Sequence, residues 1–176
     1  MSKKNPSSPL EQQLQDFQNK YYEKNKKATF FKNNQKFDCA NEISKNFSLE
    51  DLINKSVYIQ DNNKIIVHYP IIKTFAHPGI YDNFLAHIDV LSEKILLTEP
   101  CYDVHVDLYS FTITAAKRYS DLIKQFCSIY LQKTDYDDNI NKIYIHNPPS
   151  IIEMIKTMFS PFMSNTSKDK VIVLNH

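Results

Sequence analysis

Residues 136–149 read Tyr136-Asp137-Asp138-Asn139-Ile140-Asn141-Lys142-Ile143-Tyr144-Ile145-His146-Asn147-Pro148-Pro149, and this run decides the fold. Lys142 to His146 is rich in β-branched and aromatic residues, the composition of a strand. Asn147-Pro148-Pro149 breaks that strand. Ser150 with Glu153 three residues on then predicts a capped helix running through Phe159.

The same alternation extends outward. Upstream, Tyr119, Leu122, Ile123, Phe126 and Tyr130 recur at helical spacing, and residues 101–108 alternate as a strand. Tyr81, Phe84, Leu85, Ile88, Leu91 and Ile95 mark a further helix before that strand. Downstream, Val171-Ile172-Val173-Leu174 reads as a last strand, reached through residues 160–170 as a loop or broken helical turn. Strands linked by helices predict an α/β fold: a mixed, mostly parallel sheet of about five strands with right-handed crossovers. Ser56 to Gln60 and Lys64 to Tyr69, separated by Asp61-Asn62-Asn63, supply a hairpin that adds an antiparallel edge.

An N-terminal helix precedes this unit. Ser8-Pro9-Leu10-Glu11 combines a cap, a first-turn proline and a glutamate placed to reach back, and Leu10, Leu14, Phe17 and Tyr21 carry the helix over 9–26. Lys32 to Lys36 is polar and reads as a loop; Ser48 with Asp51 opens a short helix. Residues 1–46 have net charge +4 and the remainder −3, so the chain divides into a basic arm with its helix (1–46) and a main domain (47–176).

Composition removes several classes of function. The only glycine is Gly79, so the Rossmann fingerprint, the phosphate-binding P-loop and the G-x-S-x-G elbow are absent. A net charge of +1 gives no field for nucleic acid. Cys39, Cys101 and Cys127 show no C-x-x-C spacing and predict reduced thiols in a cytoplasmic, intracellular protein. No run approaches a membrane span and the start lacks an apolar signal region, which predicts a soluble chain, at most peripheral to membranes. The abundance of Lys, Asn and Ile matches an AT-rich genome, as in many large DNA viruses.

From Val106-Asp107-Leu108 onward the chain resembles the CRAL-TRIO lipid-binding family, which includes phospholipid transfer proteins and carriers of retinoids and tocopherol. That family has a strand ending in Asp-Leu, an amphipathic helix, then Tyr-Pro-Glu-Arg-x-x-Lys-x-Tyr-Ile-Ile-Asn-x-Pro. Here Tyr136 to Pro149 follows the pattern without a gap, Ser160-Pro161-Phe162-Met163 matches a Pro-Phe-Leu step, and Ser167-Lys168-Asp169-Lys170-Val171 matches Thr-x-x-Lys before the last strand. Upstream of residue 100 the likeness is one of element order. Asp138 and Asn139 stand where phosphoinositide-binding members have Glu and Arg, so a charge-assisted pairing to phosphate is lost. The sequence ends after the final strand, which predicts a C-terminally shortened member.

The resemblance implies a lipid or other small hydrophobic ligand held beneath a gate-like helix, with possible transfer and peripheral membrane contact. Met154, Ile155, Met158, Phe159 and Phe162 are the expected wall of such a pocket, because the helix after Asn147 is apolar on more than one stripe and Met is adaptable. His146, Asp107 and Lys170 are the expected polar end. Simple packing of this helix on the sheet is the competing explanation.

Period-two alternation puts Asp103, His105 and Asp107 on one face of their strand and Tyr102, Val104, Val106 and Leu108 on the other. Three readings are open for the polar trio: a metal or acid/base site, a cavity floor touching a head group, or a loop cap (Asp107) beside a solvated strand end. No H-E-x-x-H pair or persuasive Ser–His–Asp arrangement is present, and neither an enzyme, a cofactor nor a metal is predicted. The runner-up is a protein-interaction scaffold with a protein partner, as in divergent CRAL-TRIO-like modules of Rho-regulating proteins.

Overall fold

The computed structural model describes residues 8–25, 32–132 and 138–174. Its sheet has the order β1 (Val57–Gln60), β2 (Lys64–His68), β3 (Tyr102–Asp107), β4 (Ile140–His146), β5 (Val171–Val173). The first pair is antiparallel and the other three are parallel. The hairpin turns through Asp61 (φ 50°) and Asn62 (φ 67°), residue types whose short polar side chains tolerate the left-handed region.

Strand order follows chain order, and this dictates where the helices go. Right-handed crossovers that all step the same way leave all their helices on one face of the sheet. The crossovers are α4 (Tyr69–Phe75) with α5 (Tyr81–Leu96), α6 (Ile113–Arg118) with α7 (Ser120–Tyr130), and α8 (Ile152–Phe159) with α9 (Asn165–Lys170). The face they cover presents Val57, Ile65, Val104 and Ile143, all buried. The opposite face presents Tyr58, Ile66, His105, Tyr144 and Ile172 in register.

The N-terminal segments form α1 (Pro9–Lys24), α2 (Lys32–Asn46) and α3 (Leu49–Ser56). At α1 the Ser8 hydroxyl accepts from the Glu11 N–H while Glu11 Oε2 accepts from the Ser8 N–H, a complete capping box. Leu14, Cys39, Ala40 and Ile43 are buried with the core residues that follow position 46.

Three local expectations are corrected. Lys32 to Lys36 is the first turn of α2, not a loop; its side chains face solvent while Cys39, Ala40 and Ile43 anchor the turns behind it. The helix after Pro149 starts at Ile152 with Ile151 as its cap residue and no side-chain cap, so Ser150 does not cap it. Residues 160–170 are ordered: a 3₁₀ turn at Ser160–Phe162, then α9, capped by the Ser164 hydroxyl accepting from the Ser167 N–H. Tyr136 and Asp137 of the opening motif lie outside the described residues.

Candidate functional site

Between the covered sheet face and the crossover helices lies a cavity of about 540 Å³. Every strand contributes to its floor, through Val57, Val67, Val104, Val106, Ile143, Ile145 and Val171. The spacing of two residues within β3 and β4 puts these side chains on one face, and Val67 is in register with Val106. The walls come from Ile72 of α4, Phe84, Leu85 and Ile88 of α5, and Leu122, Ile123 and Phe126 of α7. Ile152, Ile155 and Phe159 of α8 complete it; their spacing of three and four residues is one helical stripe.

Polar groups enter this wall sparingly. Tyr69 and Tyr119 contribute hydroxyl-bearing rings, and the Tyr119 hydroxyl donates to the Lys73 carbonyl at 3.3 Å. The Cys127 thiol is pushed up to about 12 by burial and stays neutral. The remaining polar lining, Glu153, Lys156, Thr157, Ser160 and Lys168, comes from α8, the turn after it and α9. The cavity therefore has a greasy body and one polar end. α9 is held there by the Ser167 hydroxyl, which donates to the Leu131 carbonyl at 2.8 Å, and by the Ser164 N–H, 2.7 Å from the same oxygen.

Of the expected wall residues, the structure brings Ile155 and Phe159 to the cavity. Met154 lies on the outer side of α8 and is 58% exposed. Met158 and Phe162 pack against the core from outside the lining, and Lys124 lies over the Phe162 ring with its Nζ 5.5 Å from the centroid. Met163 occupies the wall position that the neighbouring methionines do not. The expected polar residues lie elsewhere. His146 is in register with Asp107, and both sit on the opposite face of the sheet. Lys168, not Lys170, lines the cavity; one turn of α9 holds them on different sides.

The opposite face carries a histidine–carboxylate array. His68 Nδ1 is 3.1 Å from Asp107 Oδ2, and its Nε2 is 3.1 Å from Glu11 Oε1. The Asp107 and Glu11 carboxylates outweigh the opposing effect of burial and raise the His68 pKa. Burial pushes the Asp107 carboxyl up, but bonds from His68, the Asn147 amide and the Tyr109 N–H prevail and hold it at about 2. Further along, His105 Nδ1 and His146 Nε2 are 2.9 Å apart, and the His105 ring stacks on Tyr144. Burial first, and His146 second, lower the His105 pKa. Asp103 accepts from the Asn141 amide at 2.9 Å. Asp103, His105 and Asp107 thus do not form a cavity floor, and among the described residues no group of three His, Cys, Asp or Glu is placed to hold a metal ion. Asp107 caps the loop after β3, accepting from the Tyr109 N–H at 2.9 Å.

The mixed sheet with its apolar hollow under the helix after Pro149 can be set beside known families. Residues 101–176 match the CRAL/TRIO domain. This part of the chain is similar to the CRAL/TRIO family. The match spans β3 to β5 with the α6–α9 crossovers, and the hairpin and α4–α5 complete the same sheet on the N-terminal side. CRAL/TRIO domains bind lipids and other small hydrophobic molecules and are generally not enzymes. None of the curated proteins matches the chain. Among the described residues no helix is long and apolar enough to cross a membrane.

Proposed function

We propose that this CRAL/TRIO-like chain binds a small hydrophobic ligand in the cavity beneath α8 and carries it between membranes as a peripheral, intracellular protein. The observation that carries the reading is the hollow itself: about 540 Å³ of apolar space, within the range of small-molecule sites, walled by all five strands and three crossovers. A concave cleft of this size lined almost wholly by apolar side chains, with a few polar groups at its edge, is the form that small-molecule sites take. The alternative of an interaction scaffold with a degenerate domain expects side chains filling that space, and the hollow favours the carrier.

Ile155 and Phe159 of α8 are proposed as the gate. They are the buried residues of a short helix flanked by Pro148-Pro149 on one side and Pro161 on the other, breaks at which it can swing as a unit. The test is purification under non-denaturing conditions, solvent extraction and mass spectrometry, together with uptake of labelled lipid from vesicles. A stoichiometric apolar molecule supports the reading. A chain that neither co-purifies with nor takes up any such molecule sinks it.

A further inference from the structure

We infer that the occupant is a single-chain amphiphile with an anionic head group, its chain lying on the sheet and its head at Lys168. This rests on the carrier reading above and narrows it in two respects, chain number and charge.

Volume sets the chain number. A methylene group takes up about the room of a liquid water molecule, ~30 Å³. A cavity of about 540 Å³ then holds one chain of roughly 18 carbons. A diacyl lipid brings twice that and would leave one chain in water, forfeiting about 0.8 kcal/mol for each methylene not buried.

Charge sets the head group. The charged side chains that reach the cavity are Glu153, Lys156 and Lys168, all at the α8–α9 end. Lys156 Nζ is 3.1 Å from Glu153 Oε1, so these two neutralise each other. Lys168 Nζ bonds the uncharged Asn165 Oδ1 at 3.3 Å, and among the described residues no carboxylate forms an ion pair with it. Among the described residues the lining therefore carries one positive charge without an ion-pair partner, on the wall of an apolar space. A carboxylate there gains a charge-assisted hydrogen bond, while its chain replaces water along the floor. A long-chain fatty acid is the simplest molecule of this kind.

The experiment compares binding of oleate, oleyl alcohol and vesicular dioleoyl phosphatidylcholine to the full chain and to Lys168→Met. Oleate should bind one per chain and more tightly than the alcohol. The substitution should weaken oleate by about fivefold, the effect of an exposed ion pair, and leave the alcohol unchanged. Loading of one phosphatidylcholine per chain overturns the single-chain assignment while leaving the carrier reading intact. Equal affinity for oleate and oleyl alcohol, unmoved by Lys168→Met, overturns the anionic head. Binding of none of the three, with no endogenous apolar molecule, overturns the carrier reading itself. Thermal unfolding of the variant reports that it is folded.

Discussion

His68 and Asp107, side by side at the carboxyl ends of β2 and β3, pair at 3.1 Å, and Glu11 closes on the other imidazole nitrogen from the first turn of α1. The residue that completes the α1 capping box also ties that helix to the sheet.

The pair gives stability a defined pH dependence. The His68 pKa is raised above 6.5, so its contribution is complete below that pH and is lost as the pH climbs through the folded-state value. The Asp107 carboxyl is held at about 2, below 3.8, so its contribution is complete above 3.8 and is lost on acidification towards 2. Urea unfolding of wild type and His68→Gln should differ most between about pH 4 and 6.5, by on the order of 1 kcal/mol, and converge in alkali. A difference that grows above pH 8 would contradict the pairing.

His105 has the opposite sign. Its Nε2 is buried without a partner among the described residues, so a proton there is an unsatisfied donor. The neutral ring should carry its proton on Nδ1, donating to His146 Nε2. With its pKa lowered, the folded chain resists protonation that the unfolded chain accepts near pH 6.5, so stability falls as pH drops through that value. Long-range ¹⁵N NMR should show the Nδ1–H tautomer for His105 and a titration midpoint below that of an unperturbed histidine.

Two buried tyrosines should respond differently to loss of the hydroxyl. The Tyr130 hydroxyl donates to Asp89 Oδ1 at 2.6 Å, with the Leu85 carbonyl 3.1 Å away. The Tyr81 hydroxyl is buried with no partner among the described residues. Tyr130→Phe should therefore cost about 1–3 kcal/mol, and Tyr81→Phe should be neutral or stabilising, as measured by denaturant midpoint at constant m-value.

Filling the hollow should separate fold from binding. Val106 lies on the cavity floor, and Val106→Trp places an indole where the ligand chain would lie. The variant should keep or raise its melting temperature, because the new side chain enters existing space instead of displacing neighbours. Uptake of labelled lipid should fall at least about tenfold, equivalent to about 1.4 kcal/mol. Unchanged uptake would place the ligand elsewhere.

The sheet was legible because its signals are local. Val104 and Val106 alternate with His105 and Asp107, and that alternation survives folding unchanged in β3. The start of α2 was not, because Lys32 to Lys36 carries no apolar residue to reveal a period, and the helix is fixed by burial further along at Cys39 and Ile43. α9 was hidden for a related reason. Its sequence, Asn165 to Lys170, is wholly polar, and what orders it is the Leu131 carbonyl, distant in sequence. The site was half legible. Ile155 and Phe159 follow from helical spacing, whereas Leu122, Ile143 and Lys168 meet at one cavity only through three separate crossovers, a long-range fact that no window of sequence holds.

Because the strands succeed one another in chain order, the helices crowd onto one side and the apolar hollow opens among the side chains of the principal core. The same aliphatic side chains must serve as scaffold and as container. An empty chain lacks part of its own filling, and whatever enters completes it and adds its binding free energy to resistance against unfolding. On the carrier reading, turnover of this protein in a cell should therefore track the supply of its ligand, with the unloaded form the first to be degraded.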